Sequence, residues 1–230
     1  MAKAESLQTG RKFKKTPIGE IPVDWEFVKL ARISHIIMGQ CPPSSEYSDF
    51  QKGLPFFQGK AEFGTKYPKA VKWCKSPKKI ANTGDILVSV RAPVGEVNIA
   101  PERCCIGRGL ASVRGKTAEQ EFLYFVLNYF SERLSYIGQG STFSSINKSG
   151  LSSFEIPFPP FAEQKKIAEI LSAVDSAIEK IDGIIQKTEM LKKGLIRHLL
   201  TPGMGHTEFK KIKAGDAPKN WVGLKSSEIF

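Results

Sequence analysis

Phe161-Ala162-Glu163-Gln164-Lys165-Lys166-Ile167-Ala168-Glu169-Ile170 opens a stretch, Phe161 to Leu200, whose periodicity decides the reading of everything around it. Apolar residues recur in steps of three and four at Ile167, Ile170, Val174, Ala177, Ile181, Ile184, Leu191 and Leu195, and Thr188 and His198 take the two polar slots of this heptad seam. Leu171, Ile178, Ile185 and Leu199 widen the stripe. Pro159-Pro160 suits a helix start, Glu163 faces the positive end of the helix dipole, and Thr201-Pro202-Gly203 is a stop signal. The pattern predicts a helix of roughly 39 residues, about 58 Å long. A seam that keeps its 7-residue period for that distance points to a helix that leaves the globule and pairs with another long helix; one long core helix of an ordinary domain is the alternative.

Working outward, the 230 residues carry a formal charge of +11, and the excess sits before the helix: residues 1 to 161 hold 22 Lys/Arg against 14 Asp/Glu. A body this basic attracts polyanions, nucleic acid foremost; the bland reading is a soluble basic domain. No secretory leader or long apolar span is apparent, which predicts a cytoplasmic chain without membrane contact. Cys41, Cys74, Cys104 and Cys105 form no CxxC pair and the three histidines are scattered, so reduced thiols and no metal site are expected.

The chain also repeats itself. Phe13 to Lys29 and Phe209 to Lys225 share seven identities in 17 positions without a gap, Phe, Lys, Lys, Gly, Pro, Trp and Lys, at a period of 196 residues. Chance would leave about one identity in such a window. The organisation expected is a body over 1–160, a long spacer and dimerisation helix over 161–201, and over 202–230 the start of a second repeat resembling residues 13–34.

Within the body, Val28 to Ile33 reads as a strand, Leu54 to Lys60 as a short strand ending in amide, glycine and lysine, Ile86 to Val90 as the most strand-like segment, and residues 118–137 as one helix with an almost wholly buried face. Polar residues in loops and at strand ends are the candidates for hydrogen bonds to base edges: Gln40, Ser44, Gln58, Lys60, Arg91, Arg108, Gln139, Ser141, Thr142 and Lys148. Glutamine suits adenine, arginine and lysine suit guanine, and hydroxyls suit either. Arg108, between Gly107 and Gly109, forks onto a ligand or pairs structurally with Asp85 or Glu96. Between Lys60 and Lys79 lie seven lysines and one acid; Lys66, Lys69 and Lys72 suit a phosphate backbone, and a solvated face is the equal alternative.

Asp85-Ile86-Leu87-Val88-Ser89-Val90-Arg91-Ala92-Pro93-Val94-Gly95, Gly138-Gln139-Gly140-Ser141-Thr142, and Ile156-Pro157-Phe158-Pro159-Pro160 running into Glu163-Gln164-Lys165-Lys166-Ile167-Ala168 resemble the DNA specificity (S) subunits of type I restriction-modification systems. The resemblance covers about residues 13 to 201, the last motif being its most specific part. It implies an α+β fold: a mixed, β-rich target recognition domain with packed helices, then a long coiled-coil-forming helix. A full-length subunit of that family has two such domains and two helices paired antiparallel; this chain reads as a single-repeat, half form, natural or truncated. The resemblance further implies a non-catalytic subunit that recognises double-stranded DNA and directs adenine methylation and ATP-dependent cleavage by methyltransferase (M) subunits and, through them, restriction (R) subunits. S-adenosylmethionine, Mg and ATP would then be bound by those partners and no cofactor by this chain.

The residues agree with that division. Phe158-Pro159-Pro160-Phe161 has the wrong first residue for an adenine methyltransferase motif, Glu163-x-Lys165 lacks the second metal ligand of a nuclease, and no Walker sequence occurs. A homodimer through Ile167, Ile170, Val174, Ile181, Ile184, Leu191 and Leu195 is expected, antiparallel, because Thr188 and His198 then face the all-apolar half of the partner helix. The rival reading is a coiled-coil adaptor whose basic body binds RNA or an acidic protein without sequence specificity.

Overall fold

Ile86–Ser89 is buried along its whole length because it lies between two other layers in the computed structural model, which describes residues 12–137, 145–201, 203–212 and 215–223. Ile86 and Val88 face a core of helices, whereas Leu87 faces a second sheet. A strand covered on both sides carries a continuous apolar run instead of an alternation.

The described residues fall in two compact units, Met1–Ser172 and Ala173–Phe230. The first holds a four-stranded antiparallel sheet in the order Val97–Ile99, Ile86–Ser89, Leu110–Gly115, Ser34–Met38. A five-stranded mixed sheet runs Tyr47–Ser48, Trp73–Cys74, Leu54–Phe57, Cys104–Ile106, Ile80–Ala81, its one parallel pair being Cys104–Ile106 beside Leu54–Phe57. Leu87, Leu110, Phe57, Cys104 and Ile106 fill the space between the sheets. Leu123, Leu127, Leu134 and Leu151 cover the other side of the first sheet.

Two local expectations fail for reasons of packing. Val28 to Ile33 is not one strand. Glu26–Lys29 pairs with Glu155–Phe158, after which Leu30–Ile33 makes a helical turn and Ser34–Met38 a new strand. Leu30 and Ile33, three apart, both enter the core, and Ser34 Oγ closes the turn by donating to Leu30 O at 2.7 Å. The single helix expected over 118–137 is two, Gln120–Tyr129 and Ser131–Ile137, broken at Phe130, where ψ is 17°. The break leaves Tyr129 81% exposed while Phe130 turns inward.

The long helix is Phe161–Leu200, 40 residues. Its first turns are tied to the body by a residue that periodicity does not single out. Gln164 is fully buried: its Nε2 donates to Pro159 O at 2.8 Å and its Oε1 accepts from Glu119 N at 2.9 Å, joining the Pro-Pro entry to the start of the helix Gln120–Tyr129. Beside it Trp25 Nε1 donates to Glu163 Oε2 at 3.0 Å, and its ring lines an apolar recess with Phe125, Tyr129, Ile167 and Leu171. Ile167 is therefore half-covered by the body, and the exposed stripe runs from Ile170 onward.

The two repeated segments form hairpins of one register. Phe13 opposes Pro22 and Thr16 opposes Gly19; in the second unit Phe209 opposes Pro218 and Ile212 opposes Gly215. Both turns need left-handed backbone at glycine, with φ of 111° at Gly19 and 124° at Gly215. In each the backbone N–H of the tryptophan closes a turn just after the second strand, Trp25 on Pro22 O and Trp221 on Pro218 O, both at 3.0 Å.

Cys74, Cys104 and Cys105 are buried and Cys41 half-buried, all as free thiols. Burial, with the negative charge of Asp85 nearby, pushes Cys104 from 9.0 up to about 12; burial and the adjoining Cys74 thiol do the same to Cys105. The folded chain thus holds these protons more tightly than the unfolded one, so the stability they confer is intact below pH 9.0 and is lost as pH rises towards about 12. The free energy of unfolding from urea titration should therefore fall more steeply above pH 9.0 in the native sequence than in a Cys104→Ala, Cys105→Ala variant, by roughly 1 kcal/mol per pH unit for each thiol. Parallel pH profiles would contradict this.

Candidate functional site

Five loops meet at one end of the two sheets, held together by backbone hydrogen bonds between segments remote in sequence. Gly39 N–H donates to Leu110 O at 2.8 Å and Gln40 N–H to Ile106 O at 3.0 Å. Gly107 N–H reaches Phe57 O at 2.8 Å, Gly109 N–H reaches Gln58 O at 3.0 Å, and Val90 N–H reaches Gly109 O at 2.9 Å. Ile146 N–H donates to Val90 O at 2.9 Å and Arg91 forms a bridge with Ser145. Glycine is required here by close approach: a Cβ on Gly107 would lie 2.8 Å from Gln58 Cα, and one on Gly39 2.1 Å from Gly107 O.

The loops enclose an open concavity of about 580 Å³ lined by Gln58, Lys60, Glu62, Arg91 and Arg108 among others. A second of about 270 Å³ adjoins it, lined by Met38, Arg91, Arg108, Ser145, Asn147 and Lys148. Arg91 and Arg108 belong to both, so two guanidiniums stand on the ridge between them. Arg108 is exposed, and its backbone N–H rests on Cys41 Sγ at 3.4 Å. Neither carboxylate considered as its structural partner takes that role. Asp85 is held by Arg114, whose Nε lies 2.5 Å from Oδ1, and Glu96 by Lys60, Nζ to Oε1 2.6 Å. The Asp85 hydrogen bonds also raise the Arg114 guanidinium above its usual range.

Of the residues singled out from sequence, Gln58, Lys60, Arg91, Arg108 and Lys148 come together here, and Gln40 adjoins them through its backbone. Ser44 is exposed on the turn Ser44–Glu46 and lines neither concavity. The lysines of the stripe have different neighbours. Lys66 Nζ lies 5.8 Å from the centre of the Tyr124 ring and Lys72 Nζ 5.5 Å from that of Tyr47, while Lys69 is exposed. Gln139, Ser141 and Thr142 lie outside the described residues. Sequence reasoning missed Glu62 and Asn147. Glu62 Oε2 accepts from Gly59 N at 3.1 Å, and Asn147 Oδ1 accepts from Gly150 N at 2.8 Å at the start of the helix Lys148–Ser153. The Asn before a short polar helix was the available signal for the second.

A concave surface with four exposed or half-exposed cations, two amides and one carboxylate suits a polar, anionic partner presenting hydrogen-bonding edges. Among the described residues no group of three His, Cys, Asp or Glu side chains is placed to hold a metal ion, and no helix is long and apolar enough to cross a membrane. The seam beyond the body is exposed along its length: Ile170 57%, Ile181 55%, Ile184 63%, Leu191 62%.

A family model described as the type I restriction modification DNA specificity domain matches residues 22–190. The putative type I restriction enzyme MjaX specificity subunit of Methanocaldococcus jannaschii is 47% identical over 195 residues, 83% of this chain and 46% of the relative. The MjaIX specificity subunit of the same organism is 35% identical over 182 residues, 73% of this chain and 41% of the relative. Among solved structures, the HsdS subunit from Thermoanaerobacter tengcongensis superposes with a TM-score of 0.63 at 41% identity, over 75% of this chain and 42% of the other. A chain solved in work on complex assembly and conformational transition of the type I R-M system gives 0.67 at 42% identity, over 80% and 46%. The chain thus spans about half the length of the curated relatives it matches.

Proposed function

This chain belongs to the type I restriction modification DNA specificity family, and on that premise we propose that residues 1–160 read a half-site in double-stranded DNA without catalysing a reaction. The observation that carries the reading is the convergence of Gln58, Lys60, Arg91, Arg108 and Lys148 from four separate loops onto one open surface. Those side chains, with Gln40, Ser44, Gln139, Ser141 and Thr142, contact base edges, and Lys66, Lys69 and Lys72 hold the phosphate backbone. The helix over 161–201 is the spacer and the dimerisation element, and residues 202–230 begin a second repeat. Two copies paired antiparallel set two identical bodies at opposite ends of a rod, so the target is two inverted half-sites at a spacing fixed by helix length. The assembly acts in the cytoplasm, directing methyltransferase subunits and, through them, restriction subunits, which hold S-adenosylmethionine, Mg and ATP.

The test is selection of duplexes from a random pool by the chain with its methyltransferase subunits, scored by site-selective adenine methylation. Arg108→Ala should weaken binding to the selected site by about 1 to 3 kcal/mol and relax preference at one position. Lys69→Ala should instead weaken all duplexes alike and reduce the salt slope by about 1. Salt-sensitive binding with no sequence preference would reject this reading in favour of the unselective adaptor.

A further inference from the structure

The ion pair between Lys60 and Glu96 sets a cation of the proposed DNA surface against a carboxylate that lies beside that surface, outside the lining of both concavities. Lys60 lines the larger concavity, and its Nζ lies 2.6 Å from Glu96 Oε1, with the side chains 38% and 50% exposed. The backbone on the Glu96 side is not free to drift. Ser89 N–H donates to Glu96 O at 2.8 Å and Gly95 N–H returns to Ser89 O at 2.9 Å. The buried Ser89 hydroxyl lies 2.9 Å from Arg91 O and 2.6 Å from Pro93 O. Gly95 presses so closely on the helix Ser131–Ile137 that a Cβ would sit 2.2 Å from Ser131 O. One rigid loop therefore presents both Arg91, which faces the ligand surface, and Glu96, which occupies Lys60.

We infer that Glu96 is a selectivity-determining residue: it holds Lys60 in the DNA-free chain, and Lys60 must leave it for a phosphate or base edge when a duplex binds. The carboxylate then stands uncompensated at the rim of a surface facing phosphates. A duplex with the right sequence offsets that repulsion through base contacts at Gln58, Arg91 and Arg108; a random duplex does not. Selectivity is a difference between two affinities, so a penalty equal in every complex would cancel; Glu96 adds to the difference because sequence-independent binding rests on phosphate contacts that must pass beside it, whereas base contacts fix the selected duplex in a pose that keeps its phosphates farther from the carboxylate. An exposed pair is weak enough to open without a large barrier to the correct site.

The inference rests on the DNA-reading proposal and is tested with the full chain and its methyltransferase subunits, titrating the selected duplex and a random duplex across a salt series. Glu96→Gln should raise affinity for the random duplex about threefold to tenfold at low salt and steepen its salt slope by about 0.9, one additional phosphate contact. Affinity for the selected duplex should change less, so the selectivity ratio falls. The effect should vanish in a Lys60→Met background. Glu102→Gln, an equal change of charge at the exposed turn before the opposite end of the strand Cys104–Ile106, should leave the ratio unchanged. Equal shifts from Glu96→Gln and Glu102→Gln on both duplexes would reduce Glu96 to generic charge and overturn the inference, as would a change of preference at a single base pair, which would make Glu96 a base reader. Indifference of the native chain to every sequence would instead overturn the DNA-reading proposal, and this inference with it.

Discussion

Ile181→Asp should convert the chain from a particle of twice 25.5 kDa to one of 25.5 kDa in sedimentation at micromolar concentration. Ile181 is 55% exposed in the single chain and lies at the middle of Phe161–Leu200. If the helix stood alone, a carboxylate there would meet water and the substitution would change stability by less than about 0.5 kcal/mol. In an antiparallel pair in full overlap, the two copies of residue 181 meet near the two-fold axis, so the substitution sets two carboxylates against each other inside an apolar seam. The stripe that would be covered is long: Ile170, Val174, Ile178, Ile181, Ile184, Ile185, Leu191 and Leu195 are all at least 48% exposed. A contiguous apolar surface of that kind marks an interface. Loss of the dimer should also abolish selection of inverted half-sites while leaving each body folded. A native chain that sediments as a monomer, or an Ile181→Asp chain that stays dimeric, would refute the pairing.

The largest loss of stability should come from Arg114→Met. Asp85 is 1% exposed and accepts from Ser112 Oγ at 2.7 Å, Asn82 N at 2.9 Å, and Arg114 through Nε at 2.5 Å and an Nη at 2.9 Å. Asn82 Oδ1, turned as the donors around it require, accepts from the same guanidinium at 2.6 and 3.0 Å. Methionine keeps much of the arginine stem but leaves the buried carboxylate without its counter-charge. Asp85 is buried but the Arg114 side chain is 43% exposed, so water screens part of the pair and the loss should be about 2 to 4 kcal/mol, still a large part of the stability of an ordinary domain. For a body of this size that is about 10 °C in melting temperature. Arg114→Lys, which restores charge without the fork, should recover part of it. A loss below about 1 kcal/mol would show that water reaches Asp85 and that the network is not the clamp it resembles.

The identity of Arg114 as the partner of Asp85 was hidden in the sequence, where Arg108 was the candidate. The two differ in backbone context, not in chemistry. Arg114 lies on the strand Leu110–Gly115, where Val113 pairs with Ile86 next to Asp85, whereas Arg108 sits on the turn before that strand begins. The same register decides Glu96, which a reading of spacing offers to Arg108 and which the fold gives to Lys60. Trp25 shows the limit from the other direction. Its recurrence as Trp221 was plain from the 196-residue repeat, but its hydrogen bond to Glu163, 138 positions away, was not.

What the sequence by itself determined was local: the long helix, the strand Ile86–Ser89 and the kinship of the two repeated segments, whose hairpin form the structure supplied. The helix and the strand are specified by residues one to four positions apart, and such patterns survive any change elsewhere in the chain. The residue types of the candidate surface were also legible. Only the tertiary structure decided which of them share it. Gln58, Arg91 and Arg108 meet because Gly107 N–H finds Phe57 O and Val90 N–H finds Gly109 O, and hydrogen bonds between strands so distant in sequence leave no periodic trace. Gln164, fully buried and joined to Pro159 and Glu119, had the same invisibility. A polar side chain becomes structural when packing removes its water and supplies partners, and both depend on the whole fold.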